Sequence, residues 1–128
     1  MGGTYSVEIT NDREYLFKVK SKDYEFLVDT NGKGVTPPDA LLASVGTCIG
    51  VYLRKYAEGS GIGLNGFTIN VEAEFSKDPA CFKKIGVKVD LKGLKLDERR
   101  IKAMLAFVKN CPVHNTLKAN PEINIDIR

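Results

Sequence analysis

Charge of one sign never accumulates in this chain, and no long apolar run or CxxC pair occurs. Each absence removes a class of function. The 19 Lys and Arg against 16 Asp and Glu leave a net charge of only +3. The lysines are interleaved with acids, so no nucleic-acid surface is expected. The most apolar stretch is uncharged over residues 40–53, 14 residues in all. That is too short to span a bilayer, so no membrane association is expected. Met1-Gly-Gly-Thr-Tyr5 lacks the basic flank and apolar core of a signal peptide, which predicts a cytoplasmic location. Three cysteines are an odd count. In a reducing compartment a structural disulfide framework is not expected, and reactive or buried free thiols are. Asn31-Gly-Lys-Gly34 is not followed by Gly-Lys-Ser/Thr and is no phosphate loop. No Ser-His-Asp arrangement, internal repeat, linker or low-complexity tract is found. At 128 residues the chain is long enough for one core, and a single domain over 1–128 is predicted.

What is present reads as alternating short elements. Residues 5–10, 15–20 and 24–29 predict strands, with turns at Asn11-Asp12 and Ser21-Lys22-Asp23. Asn31–Gly34 breaks the chain, and Thr36 caps a helix with Pro37 and Pro38 in its first turn, running to about Glu58. Phe67, Ile69, Val71, Ala73 and Phe75 alternate with polar residues. So do Ile85, Val87, Val89 and Leu91. Both sets predict half-buried strands joined through Asp78-Pro79. Glu72 and Glu74 are expected to face Lys88 and Lys92 across the pair. Asp97 caps a second helix carrying Ile101, Met104, Leu105 and Val108, and Pro112 starts a third. Ile123, Ile125 and Ile127 predict a last strand. The order βββαββααβ is an α+β domain. The first helix is apolar nearly all round, which predicts burial of Leu41, Leu42, Val45, Ile49 and Leu53. One domain of this size covers such a helix poorly, so an intertwined homodimer is expected.

The chemistry is expected at the thiols. Cys48, about three turns into the first helix, reads as a nucleophile in a dry pocket or as a small buried apolar residue. A reactive Cys48 needs a cation or helix end brought in by the fold. Cys111 precedes Pro112 at a helix start, where the dipole favours a thiolate, or it only marks the helix boundary. Together the two suit a redox pair in which one sulfur is attacked by an oxidant and the other resolves it. His114, the only histidine, either tunes a thiol or is a polar first-turn residue. Cys48, Cys111 and His114 offer three metal ligands without an evident fourth, so no metal or cofactor is predicted. Cys81 falls in the expected inter-strand turn and reads as incidental.

Two motifs carry a resemblance. Gly34-x-Thr36-Pro37-x-x-x-Leu41-Leu-Ala-x-x-x-x-Cys48 and Cys111-Pro112-Val113-His114-Asn115-x-Leu117 resemble the osmotically induced and organic hydroperoxide resistance (OsmC/Ohr) family, and the order of elements is similar throughout. The resemblance implies an intertwined homodimer with two sites at the subunit interface. It implies that Cys48 is the peroxidatic and Cys111 the resolving cysteine of a peroxidase acting on organic hydroperoxides or hydrogen peroxide. It also implies recycling by a dithiol, lipoyl or thioredoxin-like. In the hydroperoxide-resistance pattern a Glu after the first Pro holds an Arg against the thiolate. Here Pro38 stands at that position and Asp39 follows, as in OsmC-like branches. Arg13 is the candidate cation and Asp39 its holder. The departure leaves an alternative, a non-enzymatic redox-sensing or small-ligand-binding dimer.

Overall fold

Turn chemistry sets where the first strands end. The computed structural model describes residues 3–32 and 34–128. Here β1 (Glu8–Arg13), β2 (Leu16–Ser21) and β3 (Tyr24–Asp29) form an antiparallel sheet in that order. Met1 and Gly2 of the N-terminal reading, and Lys33 of the predicted break, lie outside the described residues. β2 and β3 fall within one residue of their predicted bounds, but β1 runs three residues later. Asn11, expected in a turn, sits inside β1 at a bulge between Thr10 and Arg13. Its amide donates to the carbonyls of Arg13 (3.2 Å), Glu14 (3.1 Å) and Leu16 (2.8 Å). The local bonding that suits Asn to turns here seals a bulge, and the reversal moves to Glu14, whose φ is 49°.

After β3 the chain doubles back beside it. Val35 forms a parallel bridge with Val28, and the Asp29 N–H donates to the Val35 carbonyl at 2.9 Å. Gly34 is needed for that approach, because a Cβ there would lie 2.9 Å from the Leu27 carbonyl oxygen. α1 (Pro37–Ser60) then starts at the predicted cap. Thr36 Oγ1 accepts from the Asp39 N–H at 3.3 Å and donates to Asp39 Oδ2 at 2.8 Å. The hydroxyl thus caps the N–H of the third helical residue and is itself held by that residue's carboxylate, with Pro where the missing N–H costs nothing. The chain divides into two compact units, Met1–Leu41 and Leu42–Arg128.

In the second unit β4 (Thr68–Lys77) and β5 (Ala80–Asp90) form a hairpin. The tight turn at Asp78-Pro79 pairs Lys77 with Ala80 and so sets the register. That register corrects the expected charge pairs: Glu74 opposes Lys84, Glu72 opposes Gly86, and Lys88 opposes Asn70. Only Glu74 and Lys84 meet, at 4.0 Å, as an exposed and therefore weak ion pair. Cys81 is not in the turn. It is the second residue of β5, opposite Ser76, with an exposed free thiol.

The body of α1 packs on this hairpin through its glycines. A Cβ on Gly46 would stand 2.9 Å from Val71 Cγ2, whereas one on Gly50 would stand 3.4 Å from Ile69 Cδ1 and Phe67 Cε1. Burial follows one stripe, Val45, Gly46, Gly50, Leu53 and Ala57. The predicted all-round burial is therefore not met within the chain. Leu42 and Ile49 are half-buried, Leu41 is exposed, and Val51 is 51% exposed, because a single hairpin covers one side of a helix.

The glycine spacing makes a test. Alanine in a helix interior is worth about 1 kcal/mol over glycine. Gly50→Ala meets ordinary contact distances and should raise stability by up to about that amount. Gly46→Ala must displace the stiff Val71 side chain, at a cost of about 1–3 kcal/mol, so it should lower stability. Denaturant titration of both variants checks this, and shifts of the same sign would refute the close approach at Gly46.

α2 (Glu98–Val108) opens at its predicted cap, where the Asp97 carboxylate accepts from the Arg100 N–H at 2.8 Å. Met104 and Val108 join Leu53 in the core, while Ile101 and Leu105 are exposed. α3 (Pro112–Ala119) is the last regular element. The predicted final strand does not form: residues 121–128 carry no helix or strand, and Ile123, Ile125 and Ile127 are 80%, 83% and 89% exposed. Alternation supplies an apolar face, but a strand also needs an edge to bond to. Among the described residues no helix is long and apolar enough to cross a membrane.

Candidate functional site

Residues four apart on a helix lie one above the other. Cys48, Tyr52 and Tyr56 therefore share one flank of α1, distinct from the glycine face on β4. α2 closes on that flank. The Phe107 ring centroid lies 5.8 Å from that of Tyr52 and 5.6 Å from that of Tyr56, both tilted. Each such pair is worth about 0.5–1.5 kcal/mol beyond the area it buries. Phe107 is in the last turn of α2. The Asn110 N–H donates to its carbonyl at 3.1 Å, and the Cys111 N–H donates to the Val108 carbonyl at 3.3 Å.

This tight corner delivers Cys111 onto Cys48. Their Cα atoms are 5.9 Å apart and their sulfurs are joined as a disulfide across 63 residues of sequence. The Cα separation falls in the range that permits a bridge. Cys111 is also the N-cap of α3, with Pro112 next, and its Sγ accepts from the His114 N–H at 3.4 Å. His114 thus meets the sulfur through its backbone rather than its imidazole.

Cys48 is less shielded than the sequence expectation of a dry pocket. Cys111 is 0% exposed, while Cys48 is only half-buried. Folding the α2–α3 corner onto α1 covers the helix start at Cys111. Cys48, on the flank away from β4, stays partly accessible.

The supporting residues are placed differently. Asp39 is the third residue of α1 and is bound to Thr36. Arg13 ends β1 opposite Leu16, exposed, beside a shallow concavity that Asp12 and Lys18 also line. Among the described residues the ion pairs are Glu74–Lys84 and Asp126–Arg128, so the expected hold of Asp39 on Arg13 is not made. Thr36 takes the Asp39 carboxylate instead, because the helix cap lies three residues away. Among the described residues no three His, Cys, Asp or Glu side chains could together hold a metal ion. Sequence reading passed over Tyr52, Tyr56 and Phe107. The spacing of Tyr52 and Tyr56 from Cys48 was a legible signal, but nothing in the sequence places Phe107 opposite them.

Fold and site together define an α+β protein in which a cysteine of the long helix is bonded to the cysteine capping the last helix. The chain belongs to the OsmC-like protein family, whose model matches residues 30–126. An OsmC-like protein from Mycoplasma pneumoniae is similar with a TM-score of 0.80 at 23% identity, over 100% of this chain and 98% of that one. An organic hydroperoxide resistance protein OsmC from Legionella pneumophila gives 0.65 at 18%, over 93% of each chain. The organic hydroperoxide resistance protein OhrB of Bacillus subtilis gives 0.58 at 20%, over 91% of this chain and 93% of that one. Identities this low show a shared fold. No curated protein sequence matches the chain.

Proposed function

We propose that this protein is a thiol peroxidase for organic hydroperoxides or hydrogen peroxide. The Cys48–Cys111 pairing carries the reading, with the more accessible cysteine on the long helix and its partner fully buried. The Cys48 thiolate attacks one peroxide oxygen. The O–O bond breaks, that oxygen stays on sulfur as a sulfenic acid, and the other leaves as an alcohol or water after taking a proton. The Cys111 sulfur attacks the sulfenic sulfur, an S–S bond forms, and the hydroxyl leaves as water. A dithiol, lipoyl or thioredoxin-like, then exchanges with the disulfide and is itself oxidised. Arg13 is the proposed cation favouring the Cys48 thiolate, with His114 in support at the Cys111 end and Asp39 left to cap α1. Arg13→Ala should slow alkylation of Cys48 at neutral pH; an unchanged rate would assign the cation elsewhere.

The protein is proposed to act in the cytoplasm as a homodimer, residues 1–128 forming one domain, with the site at the subunit boundary. Val51 on α1, Leu105 on α2 and the terminal isoleucines, all exposed, supply apolar surface for it. An interface of roughly 2,000 Å² or more is expected. Sedimentation at micromolar concentration should show a dimer, and a monomer would remove the boundary site. The peroxidase itself is tested by multiple-turnover consumption of cumene, fatty-acid and hydrogen peroxides with a dithiol donor. One stoichiometric oxidation without turnover would favour the redox-sensing alternative.

A further inference from the structure

We infer that the Tyr52–Phe107–Tyr56 ring cluster is a positioning device that holds Cys111 over Cys48 while both are reduced. Its place in a catalytic cycle rests on the peroxidase reading, but the positioning does not. In the oxidised protein the disulfide itself holds the α2–α3 corner on α1. After reduction that corner must be kept by non-covalent contacts, and the segments nearest Cys111 supply few. α3 has no buried residue, and residues 121–128 have no regular structure. The anchor is therefore the last turn of α2. Phe107 lies within 6 Å of two rings, the second of them on the next turn of α1. The corner is referenced to that same turn, because the N–H groups of Asn110 and Cys111 bond the carbonyls of Phe107 and Val108.

One of the rings belongs to the turn of α1 next to Cys48. Side chains on a helix lean toward its N-terminus, so Tyr52 leans over the turn that carries Cys48. Tyr52 is gripped on a second side by Lys55, whose Nζ stands 4.8 Å from the ring centroid. A ring held by both Phe107 and a cation stays in place when the S–S bond opens. Cys111 then meets a Cys48 sulfenic acid without a search, and resolution outruns a second oxidation.

The test is a glutathione redox titration in a Cys81→Ser background, since the exposed Cys81 thiol is free to cross-link. The protein dithiol and glutathione disulfide give the protein disulfide and two glutathiones. The equilibrium constant is the effective concentration of one cysteine at the other. Both leucine variants keep apolar volume: Tyr52→Leu loses one ring pair and should lower it about fivefold, while Phe107→Leu loses both pairs and should lower it about tenfold or more. Tyr52→Phe keeps the ring and should restore the native value. Gly46→Ala strains the opposite flank of α1 and should lower stability without moving the effective concentration, which separates positioning from mere destabilisation. With peroxide, Phe107→Leu should be oxidised at Cys48 at the native rate but over-oxidised at lower peroxide. If no variant reacts with peroxide yet the effective concentrations fall as stated, the peroxidase reading fails and the positioning stands. An effective concentration in Phe107→Leu within about twofold of native, against the ring-pair energy expected, overturns the inference.

Discussion

Cys48→Ser should reduce peroxide consumption to the uncatalysed background, a loss of several orders of magnitude, because the site's other thiol, Cys111, is fully buried. Cys111→Ser should behave differently. The first oxidation should proceed at close to its native rate, since the attacking sulfur is intact. The sulfenic acid then has no partner, and Cys48 should gain a second oxygen as excess peroxide is added. Cys81→Ser should leave both steps unchanged, because that thiol is exposed on β5 and takes no part in the pair. Stopped-flow oxidation with intact mass analysis reads all three variants. Full turnover by Cys48→Ser would end the peroxidase assignment. The opposite pattern, with Cys111→Ser inert and Cys48→Ser trapped as a sulfenic acid, would reverse the roles. Geometry argues against reversal, since Cys111 is 0% exposed and a peroxide reaches Cys48 first.

Reduction of the disulfide should cost the fold about 4 kcal/mol, because a bond joining positions 63 residues apart removes that much closure entropy from the unfolded chain. For a domain of this size that corresponds to a fall in melting temperature of roughly 10–15 °C. The measurement compares oxidised and reduced protein at one concentration in a Cys81→Ser background, so that any dissociation of the proposed dimer contributes equally. Melting temperatures within about 2 °C of each other would mean that residues 48 and 111 stay close in the unfolded chain, or that the bond strains the native state. The same difference bears on the proposed cycle. The reduced form, which meets peroxide, is the less stable one and depends on the ring cluster to keep its corner.

The caps of α1 and α2 were legible because each is decided within a few residues. Thr36 and Asp97 bind N–H groups three positions ahead, and no distant segment is consulted. The alternation of β4 was legible for the same reason, as was the Cys111-Pro112 helix start. The β4–β5 charge pairs were not. Residue spacing shows which face Glu72 and Glu74 occupy, but the partner strand's register follows from the turn at Asp78-Pro79 and the bulge between Glu74 and Phe75. The last strand was misread because alternation describes a face and says nothing of an edge to receive it.

The two cysteine motifs were sufficient to mark the family, since both lie in short stretches whose residues are read together. Which sulfur is shielded was beyond them. That depends on α2 folding back along the Cys48 flank of α1, through rings at positions 52, 56 and 107. Sequence therefore determined the three helices, β2 to β5 and the caps of α1 and α2, all products of local hydrogen bonding and periodicity. Tertiary structure alone decided that the sulfurs meet, that Cys111 is the covered one and that Phe107 stands between two tyrosines, because those facts arise from contacts between segments about fifty residues or more apart in the chain.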